Sequence, residues 1–473
     1  MNEAALDIKS FSGLTQDSRA VKPGYLFAAL PGSKADGSQY IGDAVKAGAS
    51  AVLAGKGAKV PAGVRLIADD NPRRRFALMA AAFYGAQPDF IAAVTGTNGK
   101  TSTVHFARQL WEALGIKAAS LGTLGLHGGG FDRAGSLTTP GTVELHADLA
   151  ALSKAGVTHL AMEASSHGLD QYRLDGVKLR AAGFTNLTRD HLDYHADMAA
   201  YLAAKRRLFT DILPPGGIAI LNADVKEYDD VCPDKTRHVL SYGHHGKNLK
   251  ILKREPAATG QQVHLEVMGQ RFELMFPLAG EFQLMNALCA LGLVMAEDAE
   301  NASRTEKLVR ALEKLSGVPG RLQSVAGHPK GAGVYVDYAH TPDALENILN
   351  ALRPHTQGKL VCLFGCGGNR DKGKRPLMGK VATELADRVI VTDDNPRKED
   401  AVQIRAEIMA GAPGALEIPG RREAIFHAVS GLAKGDVLVI AGKGHEQGQI
   451  VGDTVHEFDD VKVAAQAIKE AGA

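Results

Sequence analysis

Short apolar runs, each closed by a glycine-rich or polar loop and followed by a helical pattern, recur along the chain. The clearest run covers residues 90–94 and leads into the sequence T-G-T-N-G-K-T. A helical pattern follows, with Val104, Ala107 and Trp111 on one face. This order predicts a strand, a turn and a helix, an arrangement in which backbone N–H groups and the helix N-terminus can bind phosphate.

The loop lacks one feature of the full phosphate-loop pattern, because Val94 occupies the place of its first glycine. The remaining pattern, G-x-x-G-K-T, would bring Lys100 to the outer phosphates of a nucleotide and the Thr101 hydroxyl to Mg²⁺. The alternative is a tight turn that carries a surface lysine. The strand before the loop and the helix after it favour phosphate binding.

The C-terminal part, residues 323–473, contains four apolar runs that each end in a polar loop. The loops read D-Y-A-H-T-P-D, G-C-G-G-N-R-D-K-G-K-R-P, T-D-D-N-P-R and A-G-K-G-H-E. Helical segments separate the runs, which predicts a doubly wound, Rossmann-like α/β domain with its ligand at the carboxyl ends of the strands. The second loop is not a dinucleotide fingerprint, because Arg370 stands in place of the last glycine.

Breaks in the alternation of apolar runs and helical segments divide the rest of the chain into two further α/β domains. A Gly-Ala-Gln-Pro sequence closes a small N-terminal α/β domain at residues 1–87. Residues 88–322 alternate strands with helices, which predicts a central domain with a mostly parallel sheet. Within it, residues 244–275 alternate polar and apolar positions and predict antiparallel strands.

Composition narrows the classes of function. The 473 residues carry a net charge of +1, so we expect neither nucleic acid nor an anionic membrane surface as the main partner. No uninterrupted apolar run approaches the length of a membrane span, so we expect no insertion into a membrane. The N-terminal sequence has no secretory signal pattern, and the four cysteines are scattered without zinc-site spacing. We therefore expect a cytoplasmic protein with reduced thiols.

Three other segments carry candidate chemistry. Glu163 ends an apolar run and is well placed to hold Mg²⁺ beside a phosphate loop. Residues 185–195, T-N-L-T-R-D-H-L-D-Y-H, are either a metal or catalytic site or a helix start capped by aspartates. Residues 17–19 could bind a ligand, although turn capping by Asp and Ser is the simpler interpretation.

Taken together, the motifs resemble those of the Mur ligase family, the ATP-dependent amide-forming enzymes of peptidoglycan precursor synthesis. The motifs are T-G-T-N-G-K-T-S, M-E-A-S-S-H-G-L, T-N-L-T-R-D-H-L-D-Y-H, A-A-K-R-R-L-F, V-D-Y-A-H-T-P-D-A-L, F-G-C-G-G-N-R-D-K-G-K-R-P-L-M-G, D-D-N-P-R and A-G-K-G-H-E. The resemblance covers nearly the whole chain. It implies a UDP-sugar-binding N-terminal domain, a central ATP-binding domain and a C-terminal amino-acid-binding domain.

The resemblance also implies where ATP and Mg²⁺ bind. The implied ATP-binding residues are Gly96, Thr97, Asn98, Gly99, Lys100, Thr101, Ser102, Asn286 and Arg321. The implied metal ligands are Thr101, Glu163, His191 and Lys205, the last as a carbamate formed with CO₂. The implied catalytic residues are Lys100, Lys205, His191, Asp337 and His340. Without the resemblance, A-A-K-R-R would be interpreted as an ordinary basic helix face, and Gln283 departs from the Asn usual in the family.

The other implied ligands are UDP-N-acetylmuramoyl-L-alanyl-D-glutamate and meso-2,6-diaminopimelate. The first would contact Ser18, Ser33, Lys34, Ala35, Thr138, Thr139, Ser165, Gln171 and Arg173. The second would contact Arg370, Asp394, Asn395, Pro396, Arg397, Gly442 and Glu446. The resemblance thus reverses the capping interpretation at Ser18.

The implied reaction joins the two ligands through an acyl phosphate, with ATP consumed and small molecules as the only partners of an expected monomer. Arg397 would grip the distal carboxylate of diaminopimelate, which lysine lacks. The alternatives are the lysine-adding ligase of the same family, a folylpolyglutamate-synthase-like amide ligase, a phosphate-loop phosphotransferase and a non-enzymatic protein that retains the fold.

Overall fold

The structure is a computed structural model that describes residues 7–32, 36–232, 238–257, 260–298 and 301–472. The chain divides into two compact units. The first consists of Met1–Lys250, Val267–Gly269 and Asn286–Leu308, and the second of Ile251–Glu266, Gln270–Met285 and Val309–Ala473. The domain boundaries after residues 87 and 322 stay a prediction.

The N-terminal part of the first unit is a small parallel sheet. Its strands are β1 (Gly13–Thr15), β2 (Tyr25–Ala28), β3 (Ala51–Gly55) and β4 (Arg65–Asp69), which pair in that order. Its helices are α1 (Ile41–Lys46) and α2 (Pro72–Tyr84). Helix α2 begins where Asn71 accepts a hydrogen bond from the backbone N–H of Arg74 and Pro72 fills the first turn, two strong helix-start signals.

The larger sheet of the first unit surrounds β5, whose residues are all buried. Its strands are β5 (Phe90–Thr95), β6 (Ala118–Gly122), β7 (Gly125–Gly128), β8 (Phe131–Arg133), β9 (His159–Glu163), β10 (Leu179–Phe184), β11 (Ile218–Asn222) and β12 (His238–Gly243). They lie in the order β12-β11-β10-β5-β9-β6-β7-β8, parallel as far as β6 and antiparallel at β7 and β8. The helices are α3 (Lys100–Ala113), α4 (Thr142–Lys154), α5 (Ser166–Asp170), α6 (Met198–Arg207) and α7 (Tyr228–Val231).

Three longer strands follow: β13 (Leu249–Ala257), β14 (Gly260–Val267) and β15 (Gln270–Phe276). Strands β14 and β15 alternate buried and exposed residues, as the sequence pattern predicts. Met268 and Gly269 join them with positive φ at both positions, the geometry of a two-residue hairpin turn, which makes the two strands antiparallel. Helices α8 (Glu281–Met295) and α9 (Ala302–Ala311) come next.

The C-terminal sheet confirms the predicted doubly wound arrangement. Its strands are β16 (Gln323–Ser324), β17 (Gly333–Asp337), β18 (Leu360–Phe364), β19 (Arg388–Val391), β20 (Leu416–Glu417) and β21 (Val437–Ala441), in the order β16-β17-β21-β18-β19-β20. All neighbours are parallel except β16 and β17. The helices are α10 (Pro342–Leu352), α11 (Lys374–Leu385), α12 (Ala401–Met409), α13 (Arg421–Ser430) and α14 (Asp460–Ala471).

Two apolar clusters cover the faces of this sheet. Leu345 of α10, Met378 of α11 and Ile404 of α12 belong to one cluster, and Ala424 of α13 and Val463 of α14 belong to the other. The carboxyl ends of β17, β18, β19 and β21 therefore meet at one edge, where a ligand can reach their loops.

A two-stranded hairpin, β22 (Gly448–Val451) and β23 (Thr454–Glu457), follows β21, and the sequence pattern did not predict it. In the part of the chain that the structure describes, no helix is long and apolar enough to cross a membrane.

Candidate active site

The phosphate loop connects β5 to α3 in the first unit, and its two glycines fill positions that a side chain could not. Gly96 has φ 146° and Gly99 has φ 88°. A Cβ atom at Gly96 would collide with the Thr185 hydroxyl, and one at Gly99 would collide with the Asn286 amide oxygen. The glycines therefore let the loop turn sharply and place its N–H groups at the start of α3.

Hydrogen bonds fix this loop to the T-N-L-T segment at the end of β10. The backbone N–H of Thr97 donates to the Asn186 carbonyl (2.9 Å), and that of Asn98 donates to the Asn186 side chain (2.9 Å). The Thr185 hydroxyl donates to the Asn98 carbonyl (2.6 Å), and the N–H of Thr188 donates to the Thr97 hydroxyl (3.0 Å). Hydrogen bonds thus hold together two motifs that are far apart in sequence.

Two lysine side chains reach the same carbonyl oxygen of this loop. Lys205 Nζ donates to Gly96 O (2.8 Å), and Lys100 Nζ donates to Gly96 O (2.9 Å) and to Thr97 O (2.7 Å). Lys205 is 1% exposed and its Nζ lies 4.1 Å from the centre of the Tyr201 ring. The interpretation of A-A-K-R-R as an ordinary basic helix face is therefore wrong for Lys205, which points inward.

Burial lowers the pKa of Lys205 well below its ordinary value, and the neighbouring charge of Lys100 lowers it further. Lys205 forms no ion pair with any residue that the structure describes. Both facts favour the neutral amine, and a neutral amine is the form that reacts with CO₂. A carbamate at this position would replace the amine by an anionic oxygen ligand.

Two other implied metal ligands, Thr101 and Glu163, lie next to the phosphate loop. Thr101 is buried in the first turn of α3, and Glu163, 1% exposed, pairs in register with Val94 at the end of β9. The Glu163 carboxylate accepts hydrogen bonds from the N–H (2.8 Å) and hydroxyl (3.2 Å) of Thr123. Hydroxyl and carboxylate oxygens are the donors that Mg²⁺ prefers, so these residues fit the ion. Among the described residues, no three His, Cys, Asp or Glu side chains converge on a metal position by themselves.

The histidine-rich segment after β10 is not the capped helix start that was one of its two interpretations. Helix α6 begins at Met198, and its cap is Asp197, which accepts from the N–H of Ala200 (2.8 Å). His191, with φ 54°, and Tyr194 instead pack against His167, with ring centres 4.8 and 4.1 Å away. The structure therefore joins the M-E-A-S-S-H and R-D-H-L-D-Y-H motifs in one cluster.

Five of the residues expected to bind the UDP-sugar peptide form a continuous network. Thr139 Oγ1 donates to the Glu163 carbonyl (2.9 Å) and accepts from the N–H of Ser165 (2.9 Å). Arg173 donates to the Thr139 carbonyl (2.7 Å) and to the Gln171 side chain (2.7 Å). The Thr138 hydroxyl lies 3.1 Å from that of Thr123, which connects this network to Glu163.

The N-terminal candidates are less fully described. Asp17 caps the short helical turn that contains Ser18 by accepting from the N–H of Arg19, so the capping interpretation holds for Asp17. The predicted contacts of the UDP-sugar peptide with Ser33, Lys34 and Ala35 fall on residues outside the described part of the chain.

The two remaining ATP candidates lie on different units. Asn286, on α8, lies against Gly99 of the phosphate loop in the first unit. Arg321, in the second unit, has its guanidinium 4.9 Å from the centre of the Tyr338 ring, and its carbonyl accepts from the Gln283 side chain (3.0 Å). Gln283 thus supports the backbone at Arg321.

Asp337 and His340 are the candidate bases, and they differ in whether a side-chain atom remains available to accept a proton. Both Asp337 oxygens accept backbone N–H groups, from Leu322 (2.6 Å) and Ala339 (2.8 Å). Burial raises the pKa of Asp337 above its ordinary value, although Arg321 opposes this. His340 Nδ1 donates to the Tyr338 carbonyl (2.9 Å), which leaves Nε2 as an acceptor on an exposed ring.

Arg397 is held in an unusual backbone position. Its φ is 52°, and the hairpin fixes it there: its N–H donates to Ile450 O (3.0 Å), and its carbonyl accepts from the N–H of Gly452 (2.7 Å). Its guanidinium donates to Gly368 O (2.9 Å) and lies so close to Gly367 that an added Cβ would be 2.8 Å away. Within the described part of the chain, neither Arg397 nor the exposed Arg370 has a carboxylate partner.

The neighbouring candidates complete this loop cluster. Gly442 has φ 115°, and a Cβ there would lie 2.8 Å from Asp394 Oδ2. Asn395 donates to Glu446 Oε2 (2.8 Å), and the carbonyl of Pro396 lies directly against Gly368. Sequence reasoning missed two participants, the fully buried Lys443 and the hairpin. The lysine could have been noticed, since it lies inside A-G-K-G-H-E.

Comparisons with known proteins agree with this arrangement. Family profiles match residues 10–84 ("Mur ligase family, catalytic domain"), 94–294 ("Mur ligase middle domain") and 320–444 ("Mur ligase, glutamate ligase domain"). The chain is 52% identical over 467 residues to a Caulobacter vibrioides protein named UDP-N-acetylmuramoyl-L-alanyl-D-glutamate--2,6-diaminopimelate ligase, covering 97% of this chain and 95% of that protein. It is also 52% identical over 461 residues to the Brucella melitensis protein of the same name, covering 97% and 94%.

Solved structures show the same fold. A structure of a ligase with that name has a TM-score of 0.73 and 34% identity, and covers 97% of this chain and 95% of its own. The Thermotoga maritima MurF ligase in complex with ADP has a TM-score of 0.64 at 19% identity, covering 98% of both chains, and supports the fold alone. The predicted three-domain architecture is thereby confirmed, and the chain belongs to the Mur ligase family.

Proposed function

We propose that this protein joins meso-2,6-diaminopimelate to the D-Glu carboxylate of UDP-N-acetylmuramoyl-L-alanyl-D-glutamate at the expense of ATP. The observation that carries the choice of amino acid is Arg397. Its guanidinium is presented at the strand ends of the C-terminal sheet, and no described residue neutralises it. A planar guanidinium without an internal carboxylate partner is well suited to bind a carboxylate of the substrate in two-point fashion.

Activation of the acceptor takes place at the phosphate loop. The D-Glu carboxylate attacks the γ-phosphorus of ATP to give an acyl phosphate and ADP. The N–H groups at the start of α3 and the ammonium of Lys100 offset the charge on the phosphates. Lys100 now donates to loop carbonyls, and ATP would offer it stronger acceptors. Mg²⁺, held by Thr101 and Glu163, would supply positive charge that screens the two reacting anions.

We propose that Lys205 acts in this site as a carbamate. Its buried, uncompensated amine supports that assignment, because carbamylation converts a group that repels a cation into an anionic oxygen donor. His191, in the neighbouring cluster with His167, would be the remaining protein ligand.

The acceptor is held by the network of Thr138, Thr139, Ser165, Gln171 and Arg173. In this network Arg173 is fixed by the Thr139 carbonyl and by Gln171. The orientation of Arg173 is therefore set before the substrate binds, which lowers the entropy cost of binding.

The second step forms the amide. The amine of diaminopimelate attacks the acyl carbon, phosphate leaves, and one proton must leave the amine. His340 is our candidate base, since its Nε2 is an available acceptor. Asp337 has both oxygens engaged by backbone N–H groups, which supports a role in holding the loop after β17.

An amino-acid panel tests the proposed function. ADP release is measured with the UDP-dipeptide and either meso-diaminopimelate, L-lysine, L-ornithine or L-alanine. Of the four amino acids, we expect only diaminopimelate to give rapid release of ADP. When the D-Glu carboxylate carries ¹⁸O, we expect the label to appear in the released phosphate. Preference for lysine would assign the chain to the lysine-adding branch, and phosphate free of ¹⁸O would indicate hydrolysis of ATP without ligation.

A further inference from the structure

The buried Lys443 lies at the centre of a polar network beneath the expected diaminopimelate site. Its side chain is 0% exposed, and its Nζ donates to Asn395 Oδ1 (2.9 Å) and Glu446 Oε2 (3.3 Å). Both hydrogen bonds of the buried amine go to residues that are themselves expected to contact the ligand, so Lys443 lies behind them. Because burial of an unpaired ammonium is costly, its two acceptors must stay in place.

Lys443 fixes which way the Asn395 amide faces. Asn395 Oδ1 accepts from Lys443 and from the N–H of Ile450 (3.0 Å), and its Nδ2 donates to Glu446 Oε2 (2.8 Å). The opposite orientation would set the amide NH₂ against the Lys443 ammonium and the Ile450 N–H, and the amide oxygen against the Glu446 carboxylate, so donors would face donors and acceptors would face acceptors. The cation therefore determines the hydrogen-bonding pattern that the D-N-P-R loop offers.

Lys443 also determines the state of Glu446. Oxygen Oε2 of this carboxylate accepts from both Lys443 and Asn395, whereas Oε1 has no partner among the described residues. The Glu446 side chain is 33% exposed, so one oxygen remains accessible to a ligand ammonium. The ion pair with Lys443 offsets the negative charge that Glu446 would otherwise add beside Arg397.

We propose that Lys443 is a positioning residue that sets the preference for an amino acid whose distal end carries both a carboxylate and an ammonium. This inference rests on the proposed function. With Lys443, the net charge of the loop cluster suits a carboxylate at Arg397 and an ammonium at Glu446. Without it, the unpaired Glu446 carboxylate repels the distal carboxylate and favours lysine, which ends in an ammonium alone.

The test compares Lys443→Met, which keeps the apolar stem, with Lys443→Gln, which keeps a donor for Asn395 and removes the charge. Lys434→Met, at an exposed position of the same unit, is the matched control. We measure KM and kcat for each substrate and the ratio of kcat/KM for diaminopimelate over L-lysine. Both Lys443 variants should lower that ratio at least about tenfold, the usual effect of losing a hydrogen bond to a charged group.

The pattern of constants separates positioning from a general loss of structure. KM for diaminopimelate should rise more in Lys443→Met than in Lys443→Gln, while KM for ATP and for the UDP-dipeptide stays at the wild-type value. Glu446→Gln added to Lys443→Met should restore part of the ratio, because it removes the uncompensated charge. If Lys443→Met does not fold, the ratio measured for Lys443→Gln decides.

An unchanged ratio in a soluble Lys443→Gln variant would overturn the inference, and so would an equal rise in all three KM values. Wild-type enzyme that releases no ADP with diaminopimelate would instead overturn the proposed function. The two failures are therefore distinguishable in the same set of assays.

Discussion

Lys205 and Lys100 donate hydrogen bonds to the same carbonyl oxygen, that of Gly96, at 2.8 and 2.9 Å. Two ammonium groups this close repel each other, and Lys205 is the one that burial makes easier to neutralise. The contact at Gly96 O therefore brings together Lys100 of the phosphate loop and Lys205 of α6, two lysines that differ in burial and in the ease with which they lose a proton.

Replacing Lys205 tests this difference. If Lys205 is the carbamate ligand that we propose, Lys205→Ala should reduce kcat about a hundredfold, because the anionic ligand of the metal is lost. Wild-type enzyme in CO₂-depleted buffer should lose activity and regain it with bicarbonate, and ¹³C-bicarbonate should give a carbamate NMR signal absent in the variant. Lys154→Ala, an exposed lysine of α4, is the control. Full activity of Lys205→Ala without CO₂ would contradict the carbamate.

Gly99 of the phosphate loop and Gly115, just after the end of α3, allow a matched pair of glycine substitutions. A Cβ at Gly99, φ 88°, would meet the Asn286 side chain, whereas one at Gly115, φ 80°, meets nothing within 4 Å. Gly99→Ala should weaken ATP binding at least about tenfold in calorimetric titrations, since the loop must move. Gly115→Ala should cost about 1 kcal/mol of stability from backbone strain and leave ATP affinity unchanged. Equal affinities of the two variants would argue against a close-fitting loop.

Arg397 provides the test of amino-acid choice. Arg397→Ala should lower kcat/KM for diaminopimelate about a hundredfold, and Arg397→Lys should recover only a small part, because an ammonium lacks the two-point geometry. ATP and UDP-dipeptide KM values are measured alongside, with Arg422→Ala, an exposed arginine of α13, as the control. Unchanged selectivity in Arg397→Ala would refute its assigned role.

His105, buried in α3, predicts a pH dependence of stability. Burial lowers its pKa to about 3, and the charges of Arg108 and His127 contribute. The unfolded chain binds a proton below about pH 6.5 and the folded chain does not, so the unfolding free energy falls as pH decreases from about 6.5 toward 3.

Replacing His105 isolates this contribution. His105→Gln should flatten the slope by up to about 1.4 kcal/mol per pH unit. Urea unfolding can be followed at Trp111, the only tryptophan of the sequence, which lies in the same helix. His427→Gln, at an exposed site, should retain the wild-type slope. A variant whose slope equals that of the wild type would show that His105 is protonated in the folded protein.

The pair Arg421–Asp460 links α13 to α14, and both side chains are 0% exposed. Arg421 also donates to the Ala441 carbonyl (3.1 Å), at the start of the A-G-K-G-H-E loop. Asp460→Asn should cost about 3–5 kcal/mol of unfolding free energy, because a buried guanidinium loses its counter-ion. Glu384→Gln, which breaks the exposed pair with Lys380, should lower the unfolding free energy by at most about 1 kcal/mol. Scanning calorimetry of both variants measures the two losses. Similar losses for both would contradict the role of burial.

Features encoded by neighbouring residues could be predicted from the sequence. Strand β5, its glycine loop and helix α3 follow from the local pattern, and so do the four strand ends of the C-terminal sheet. Apolar periodicity and glycine positions act over a few residues, so a single sequence contains the whole signal.

Contacts between distant residues could not be predicted in this way. Nothing local to A-A-K-R-R shows that Lys205 turns inward to Gly96, more than a hundred positions earlier. The same applies to Lys443 and Asn395, and to Arg397 and its hairpin. In each case a polar group is satisfied by a partner that only tertiary packing brings near.

The hairpin bonds at Arg397 have a consequence for how specificity can change in this family. Its left-handed backbone is maintained by Ile450 and Gly452, on a separate segment of chain. Moving the tetrapeptide D-N-P-R alone into a lysine-adding relative would transfer the guanidinium without the support that aims it. If Arg397 selects the amino acid as proposed, the unit that determines this choice is the tetrapeptide together with its hairpin, and a graft of both segments is the smallest exchange that should transfer diaminopimelate use to another enzyme.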